Sequence, residues 1–257
     1  MDEIKKEIQN RLHQIEIEEN VCIFYACESG SRAWGFPSDD SDYDVRFLYI
    51  HPKNWYLSID EKRDVIEKPI NNLIDLNGWD IRKALKLFRK SNPPLLEWLR
   101  SPIIYQQRFE IANKIKALLP EYYSPKSCLY HYLHMAEGNF REYLKGEMVW
   151  VKKYFYVLRP ILACKWIEAG YGVVPMAFGI LVDSIVTDGE LKTAIMDLLW
   201  RKQIGQELSR EPKIPLISGF IETELERLRT KEYDSISPKV ETEKLDELFR
   251  WALEKVW

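Results

Sequence analysis

Asp42 and Asp44 are the residues in this chain whose type and spacing most clearly suggest chemistry. They open the segment 42–50, where Tyr43 and Val45 begin an alternating pattern that predicts a strand. Because successive side chains of a strand point to opposite faces, the two aspartates should share one face, about 6 to 7 Å apart. Two ionised carboxylates at that distance repel each other unless a cation compensates their charge. The pair therefore predicts a divalent-metal site.

A Gly30-Ser31 turn lies between this strand and residues 21–26 (VCIFYA), a short apolar segment that predicts a buried strand. Without a Cβ at Gly30, the backbone N–H groups of the turn can approach phosphate oxygens closely, and a helix starting there adds a positive end. Ser31 can also donate its hydroxyl hydrogen. Glycine and serine are common in ordinary turns, so the prediction of phosphate binding depends on the order of strand, turn, loop and paired aspartates.

The neighbouring segments predict the sheet that would position these residues. Residues 2–18 carry an apolar stripe at helical spacing, and residues 64–70 and 72–76 predict two further strands across a turn. Asp80 directly precedes the amphipathic segment IRKALKLFRKS and is predicted to be the N-cap of that helix. We therefore predict an α+β fold in which residues 1–120 form a domain with a small mixed sheet.

The second half of the chain has a different pattern, with helical periodicity and little strand character. The proline-containing stretch from Leu119 to Pro125 is the best candidate for a domain boundary. The predicted helices are 127–144, 149–169, 175–185, 190–204, 217–229 and 241–256. We therefore predict an all-helical domain over residues 121–257, with residues 230–238 as an exposed linker to its last helix.

The composition limits the class of protein. With 257 residues and 46% hydrophobic content, the chain can bury a substantial core, and its net charge of -3 gives no overall field for nucleic acid or an anionic membrane. The N-terminus does not resemble a signal peptide, and no apolar stretch reaches the roughly 18 residues that span a bilayer. We expect a cytoplasmic protein. The four cysteines lack Cys-x-x-Cys spacing, which predicts buried free thiols rather than disulfides or a zinc site.

The order of strand, Gly30-Ser31, loop and Asp42-x-Asp44 resembles the signature of the DNA polymerase beta-like nucleotidyltransferase superfamily. Three longer stretches are similar to its YcgL-like, RNA-repair-associated family: GSRAWGFPSDDSDYDVRFLY, DLNGWDIRKALKLFRKSNPPLLEWLRSPIIY and KKYFYVLRPILACKWIE. The resemblance implies transfer of a nucleoside monophosphate from a nucleoside triphosphate such as ATP to a hydroxyl acceptor, with release of pyrophosphate. The association with RNA repair suggests an RNA end as the acceptor.

The resemblance also implies a third carboxylate on a neighbouring strand, for which Asp75 and Asp80 are candidates. Asp75 lies within the apolar segment NLIDL, where an unpaired carboxylate would be costly to bury and would need a cation. Asp80 already has a structural role as a helix cap. We favour Asp75 and keep Asp80 as the alternative. By this resemblance Asp42, Asp44 and Asp75 are expected to bind two Mg²⁺ ions, or Mn²⁺, and Asp75 to orient or deprotonate the acceptor hydroxyl.

Further residues are candidates for contacts with the nucleotide. Gly30 and Ser31 are expected to hold the β- and γ-phosphates. Lys153, Tyr156 and Arg159, spaced by three and three in an aromatic and basic helix, are expected to hold triphosphate and base in a cleft between the two domains. The alternative for these three is that the aromatic residues belong to the core and the charged side chains extend from it to solvent.

One predicted helix is strongly basic, with five cations and no acidic residue among them: Arg82, Lys83, Lys86, Arg89 and Lys90. Lys83, Lys86 and Lys90 are spaced so that they would share a face. This face is either a phosphate-contacting surface or a solvated outer surface, and the sequence supports both interpretations equally.

Two other functions fit the same pattern. The chain could be a nucleotide- or RNA-binding module without transfer activity, although the intact Gly-Ser and Asp-x-Asp elements argue against a degenerate site. Alternatively, the acceptor could be a small molecule, such as an aminoglycoside, or a protein side chain. The near-neutral net charge disfavours binding to a long duplex but is compatible with a short RNA end.

Overall fold

A computed structural model describes residues 2–71, 73–206, 208–233 and 241–257 of the chain. Its helices and strands follow in this order: α1 (Asp2–Glu19), β1 (Cys22–Glu28), α2 (Gly30–Trp34), β2 (Tyr43–Ile50), α3 (Lys53–Tyr56), β3 (Val65–Asn71), β4 (Ile74–Asp80), α4 (Ile81–Arg89), α5 (Pro93–Leu99), β5 (Ile104–Gln107), α6 (Ile111–Ala117), α7 (Leu119–Tyr122), α8 (Pro125–Tyr143), β6 (Met148–Trp150), α9 (Tyr154–Glu168), α10 (Phe178–Ile185), α11 (Glu190–Gln203), β7 (Arg210–Pro212), α12 (Pro215–Thr230) and α13 (Glu243–Val256). A short 3-10 helix, Val151–Lys153, precedes α9.

The chain folds as two units, each with its own contacts. The first unit takes the described residues of 1–33, 42–123 and 238–257, and the second takes those of 34–41 and 124–237. This grouping differs from the predicted division at residue 120 in two places. The loop that follows α2 belongs to the second unit, and α13 belongs to the first unit, where it contacts α4 and α6.

Within the described residues, five strands form the sheet of the first unit, in the order β3-β4-β2-β1-β5. β2 and β4 run parallel, whereas β1 with β2, β1 with β5, and β3 with β4 are antiparallel. The predicted α+β fold with a mixed sheet is therefore confirmed. Of the strand predicted over residues 42–50, β2 takes Tyr43–Ile50, so the predicted end is confirmed and the strand begins one residue later than predicted.

Alternate residues of β2 form the core on one face of this sheet. Val45, Phe47 and Tyr49 are fully buried and belong to one cluster with Leu12 and the other apolar residues of α1. The apolar stripe predicted for the first helix is thus confirmed as a core stripe. Because side chains alternate along a strand, Asp44 lies on the opposite face, away from this cluster.

Gly78 of β4 is needed for the packing of Phe47, and its replacement gives a test of the sheet. A Cβ built at Gly78 would lie 2.1 Å from Cε2 of Phe47, a ring that is fully buried. We expect Gly78→Ala to lower the free energy of unfolding by about 2–3 kcal/mol, because the ring or the strand must shift. Urea denaturation followed by circular dichroism measures this change. The matched control is Gly138→Ala in α8, where no atom of the described residues outside that stretch of helix lies within 4 Å of the added Cβ and a gain of about 0.5–1 kcal/mol is expected. Equal stability of both variants would contradict the packing described.

The second unit is mainly helical, but its prediction as all-helical is wrong at one place. Met148–Trp150 and Arg210–Pro212 pair as the antiparallel strands β6 and β7. Strands of three residues are too short to produce a recognisable alternating pattern, so the sequence predicted one helix over 149–169. The helix itself, α9, begins at Tyr154, after the 3-10 turn.

Glu168, at the end of α9, lies in a network of ions that gives the second unit a pH-dependent stability. Its carboxylate accepts hydrogen bonds from Arg227, Lys231 and Tyr233, at 2.6 to 2.9 Å. Burial alone would raise the pKa of Glu168, but these hydrogen bonds outweigh it and hold the pKa at about 2 instead of the usual 4.5. The carboxylate therefore stabilises the folded state above pH 4.5, and this contribution is lost as the pH falls through about 2.

We expect Glu168→Gln to lower the free energy of unfolding at pH 7 by about 1–2 kcal/mol, a range that allows for solvent screening of the 36% exposed Arg227 side chain. Denaturation curves at pH 7 and in acid measure the difference between the variant and the wild type, which should shrink as the pH falls. Glu222→Gln removes an exposed carboxylate of α12 and serves as the control. A difference that is the same at every pH would contradict this account.

The structure also bears on the smaller sequence predictions. All four cysteines carry free thiols, and Cys27, Cys128 and Cys164 are buried as predicted, whereas Cys22 is half-buried. Of the helices described, none has both the length and the apolar character needed to cross a membrane. The strand start predicted at residue 72 and most of the linker predicted at 230–238 lie outside the described residues.

Candidate functional site

Asp44 and Asp75 form the carboxylate pair of the candidate site. In the parallel pairing of β2 with β4, Asp44 is the register partner of Asp75, so the two side chains are neighbours on one face of the sheet. Asp42 does not lie in the strand with Asp44, as was predicted. β2 begins one residue later, at Tyr43, and Asp42 is exposed in the preceding loop. The backbone oxygen of Asp42 accepts a hydrogen bond from Arg32 at 3.2 Å. The close pair thus comes from two strands rather than from one.

Arg46 lies between the two carboxylates. Its Nη2 donates to Oδ1 of Asp44 at 2.9 Å and to Oδ2 of Asp75 at 2.8 Å. Its Nη1 also lies 3.2 Å from the backbone oxygens of Val45 and Asp75. Arg46 was not predicted as a site residue. Its position two residues after Asp44 was the available signal, because it places both side chains on the same strand face.

The surroundings of Asp44 favour a nearby cation. Burial raises the pKa of Asp44, Arg46 opposes that rise, and the negative charges of Asp75 and Asp42 add to it. Asp42 therefore still acts on the pair through its charge, although it lies outside the strand. A partly desolvated carboxylate beside two others stays ionised only when a positive charge compensates it.

The Gly30-Ser31 turn stands directly against Asp44, as the sequence order predicts. Gly30 has a φ of +59°, and a Cβ built on it would lie only 1.9 Å from Oδ2 of Asp44. The N–H of Ser29 donates to the backbone oxygen of Asp44 at 2.8 Å, which ties the turn to β2. Ser31 follows within α2 and is half-buried. Only glycine leaves room for the carboxylate at this position.

Glu28 is a second residue of the site that the sequence analysis missed. It is fully buried at the end of β1, where it accepts a hydrogen bond from the N–H of Asp44 at 2.7 Å and another from the hydroxyl of Tyr105. Burial raises the pKa of Glu28 to about 7, the two hydrogen bonds oppose the rise, and the charge of Asp44 adds to it. An acidic residue that ends an apolar strand just before Gly30 was the available signal.

Asp80 has the structural role that the sequence predicted for it. Its carboxylate accepts the N–H of Arg82 at 2.8 Å, which confirms the N-cap of α4, and the hydroxyl of Tyr56 at 2.5 Å. Burial raises the pKa of Asp80 to about 6. Asp80 follows Asp75 by five residues on the same strand, a separation of about 16 Å. Of the two candidates for the third carboxylate, Asp75 is therefore the one that adjoins Asp44.

The donor atoms of this site suit a hard divalent cation. Carboxylate oxygens are the ligands that Mg²⁺ and Mn²⁺ prefer. The half-buried pair of Asp44 and Asp75 already binds one positive group, the guanidinium of Arg46. Among the described residues, however, no three histidine, cysteine, aspartate or glutamate side chains are arranged to hold a metal ion together. Arg46 occupies the position between the facing oxygens instead. Metal binding by Asp42, Asp44 and Asp75 stays a prediction.

The basic helix α4 lines a groove in the first unit. This groove, of about 270 Å³, is lined by three cations of the helix, Arg82, Lys86 and Arg89, together with residues of α13. Lys83 forms an ion pair with Asp64 at 2.9 Å, and a contact of its face with phosphate stays a prediction. The groove combines positive charge with apolar side chains such as Phe249.

Lys153, Tyr156 and Arg159 lie close together in the second unit. Nζ of Lys153 is 4.7 Å from the ring centre of Tyr156, and the ring centres of Tyr156 and Trp34 are 5.6 Å apart. The Tyr156 side chain is partly exposed, but Arg159 is buried, and its guanidinium lies 4.8 Å from the Trp34 ring. Arg159 therefore packs against an indole in this structure, and a contact with nucleotide by these three residues stays a prediction.

Known proteins are similar to this chain over most of its length. The model of a family described as RlaP, RNA repair pathway DNA polymerase beta family, matches residues 4–251. The uncharacterized protein YcgL of Bacillus subtilis (strain 168) is 49% identical over 255 residues, which are 99% of this chain and 98% of that protein. A solved structure, that of a nucleotidyltransferase-like protein from Exiguobacterium sibiricum 255-15, aligns over 96% of this chain and 89% of its own with 14% identity and a TM-score of 0.32.

Proposed function

The chain belongs to the RNA repair pathway DNA polymerase beta family, and on that premise we propose that it transfers a nucleoside monophosphate from a nucleoside triphosphate to a hydroxyl acceptor. The observation that carries the proposal is the contact of Gly30 with Asp44, beside Asp75 on the adjacent parallel strand. A turn with an open backbone next to paired carboxylates is the arrangement that phosphate and metal binding both require.

Each residue of the site has a proposed role. Gly30 and Ser31 bind the β- and γ-phosphates through backbone N–H groups and the serine hydroxyl. Asp44 and Asp75 hold Mg²⁺ or Mn²⁺, with Asp42 at the edge of the site. The metal ions, when bound, neutralise the triphosphate and stabilise charge on the α-phosphate.

In the proposed reaction the acceptor oxygen bonds to the α-phosphorus, the bond from that phosphorus to the bridging oxygen breaks, and pyrophosphate leaves. Asp75 orients the acceptor hydroxyl and takes its proton. This half-buried carboxylate is suited to that role because it lies on the same face as Asp44, where the triphosphate would be held.

We further propose an RNA end as the acceptor and ATP as one of the nucleotides used. The support for RNA is the description of the family itself. Lys153, Tyr156 and Arg159 are the residues proposed to bind the nucleotide in the second unit. Of these, Tyr156 is the side chain whose ring is exposed enough to stack on a base.

The test is a labelling screen. The full chain is incubated with Mg²⁺ and each of the four α-³²P nucleoside triphosphates, in the presence of RNA with defined 3′ ends and, in parallel, of small-molecule and protein acceptors. We expect label on one class of acceptor, with release of pyrophosphate that a chelator abolishes. Absence of label and of pyrophosphate in every combination would contradict the proposal. Label on a small molecule and not on RNA would show that the small molecule is the acceptor.

Arg46 provides a specific reason to keep a second candidate, a nucleotide-binding module without transfer activity. Its guanidinium compensates Asp44 and Asp75 without any metal. Calorimetry separates the two functions, because a binding module would bind ATP equally well with and without Mg²⁺ and would release no pyrophosphate.

A further inference from the structure

We propose that Arg46 competes with the divalent cation for Asp44 and Asp75, so that the site binds free metal weakly until the guanidinium moves away. The inference rests on the proposed function, because it takes these two aspartates as metal ligands. It adds a residue that controls the metal affinity of the site.

The guanidinium of Arg46 lies where a metal ion shared by Asp44 and Asp75 would have to bind. A single nitrogen, Nη2 of Arg46, contacts Oδ1 of Asp44 at 2.9 Å and Oδ2 of Asp75 at 2.8 Å. A metal ion that binds both of these oxygens needs the space in which that nitrogen lies. The positive charge of the guanidinium would also repel the ion at this distance. Metal and guanidinium therefore exclude each other.

Asp44 and Asp75 need a positive charge between them, whether or not a metal ion is bound. Asp44 is partly desolvated, and Asp75 is its direct neighbour on the next strand. Without Arg46, two ionised carboxylates would face each other with nothing between them, which is unfavourable. Arg46 removes this repulsion in the metal-free protein, and by doing so it also removes much of the attraction that the site would exert on a metal ion.

Arg46 lies at the edge of solvent. About 17% of its side chain is exposed, so it can move without first breaking into a fully buried position. Its two contacts with backbone oxygens are at 3.2 Å, the long end of the hydrogen-bond range. The shorter contacts of Arg46 are thus those with the two carboxylates. A divalent cation can replace the guanidinium as the partner of these carboxylates.

The test measures metal binding rather than activity. Mn²⁺ binding to the full chain, without nucleotide, is followed by electron paramagnetic resonance for the wild type and for Arg46→Met, which keeps an apolar stem but removes the charge. We expect Arg46→Met to bind Mn²⁺ at least about tenfold more tightly, which corresponds to about 1.4 kcal/mol. Arg46→Lys, which keeps the charge but loses the contacts of Nη1 with the backbone oxygens of Val45 and Asp75, should lie between the two.

Arg32→Met is the control for charge alone, because Arg32 lies near the same turn, donates to the backbone oxygen of Asp42 and lies over the ring of Tyr43, whereas the nitrogen that bridges Asp44 and Asp75 belongs to Arg46. We expect its Mn²⁺ affinity to change much less than that of Arg46→Met. An equal gain in both variants would overturn the proposal, since loss of any nearby positive charge would then explain the effect.

Asp44→Asn separates failure of this inference from failure of the proposed function. If Mn²⁺ binds to the wild type and to Arg46→Met equally, and Asp44→Asn abolishes both, the metal site stands and the competition is refuted. If Mn²⁺ binds to neither the wild type nor Arg46→Met, or binds to both regardless of Asp44, the proposed role of Asp44 as a metal ligand and the competition fall together. Should Arg46→Met fail to fold, Arg46→Lys decides the question, because affinity equal to that of the wild type would overturn the proposal.

Discussion

Asp44→Asn should give a folded protein that no longer transfers label from an α-³²P nucleotide in the presence of Mg²⁺. Asparagine keeps the shape of the side chain but removes the negative charge that lies between Gly30 and Arg46. We expect the rate of transfer to fall about a thousandfold or more, since a group that directly stabilises the reacting charges is lost. The initial rate of labelling at saturating nucleotide measures the loss.

Stability is the internal check on that result. Burial raises the pKa of Asp44, which means that its charged form is held at some cost in the folded state. A neutral amide at this position should therefore leave the melting temperature close to that of the wild type. Asp39→Asn, in the exposed loop before β2, is the control with unchanged labelling. Labelling by Asp44→Asn at the wild-type rate would remove the proposed mechanism entirely.

Gly30→Ala should reduce transfer by about a hundredfold or more, through the position of Asp44 rather than through its charge. The added Cβ would lie 1.9 Å from Oδ2 of Asp44, so either the carboxylate or the turn must move. The backbone at φ +59° adds a cost of about 1 kcal/mol for any residue with a Cβ. Steady-state labelling and Mn²⁺ binding, measured on the same preparation, should both decline.

Gly35→Ala separates these two causes. Gly35 also has a left-handed backbone, with a φ of +90°, but apart from its chain neighbours no atom of the described residues lies within 4 Å of the Cβ that alanine would add. Its replacement therefore introduces similar backbone strain without a contact to any carboxylate. We expect a modest loss of stability and nearly normal labelling. If Gly30→Ala behaves like Gly35→Ala, the turn does not position Asp44.

Local patterns predicted the parts of the site that depend on neighbouring residues. The C-terminal end of β2, the turn at Gly30 and the N-cap role of Asp80 were all available from the sequence, and the structure agrees with each. Alternation along the strand also placed Asp44 on the face opposite the core. These features follow from backbone geometry within a few residues, which a sequence pattern records directly.

The same kind of reasoning misplaced or missed residues whose surroundings come from elsewhere in the chain. Asp42 was paired with Asp44 because alternation alone cannot tell where a strand begins. Glu28 was overlooked because its burial depends on Tyr105 and on the backbone of Asp44, neither of which is close to it in sequence.

What the sequence by itself determined is the class of fold, the family and the set of groups that could bind phosphate and a cation. Only the tertiary structure decided that Asp75 and not Asp80 adjoins Asp44, and that Arg46 bridges the pair. The physical reason is that the register between two parallel strands depends on how the segment between them packs, here the segment from the end of β2 at Ile50 to the start of β4 at Ile74. A local pattern fixes which face a side chain takes, whereas the register decides which side chain it meets.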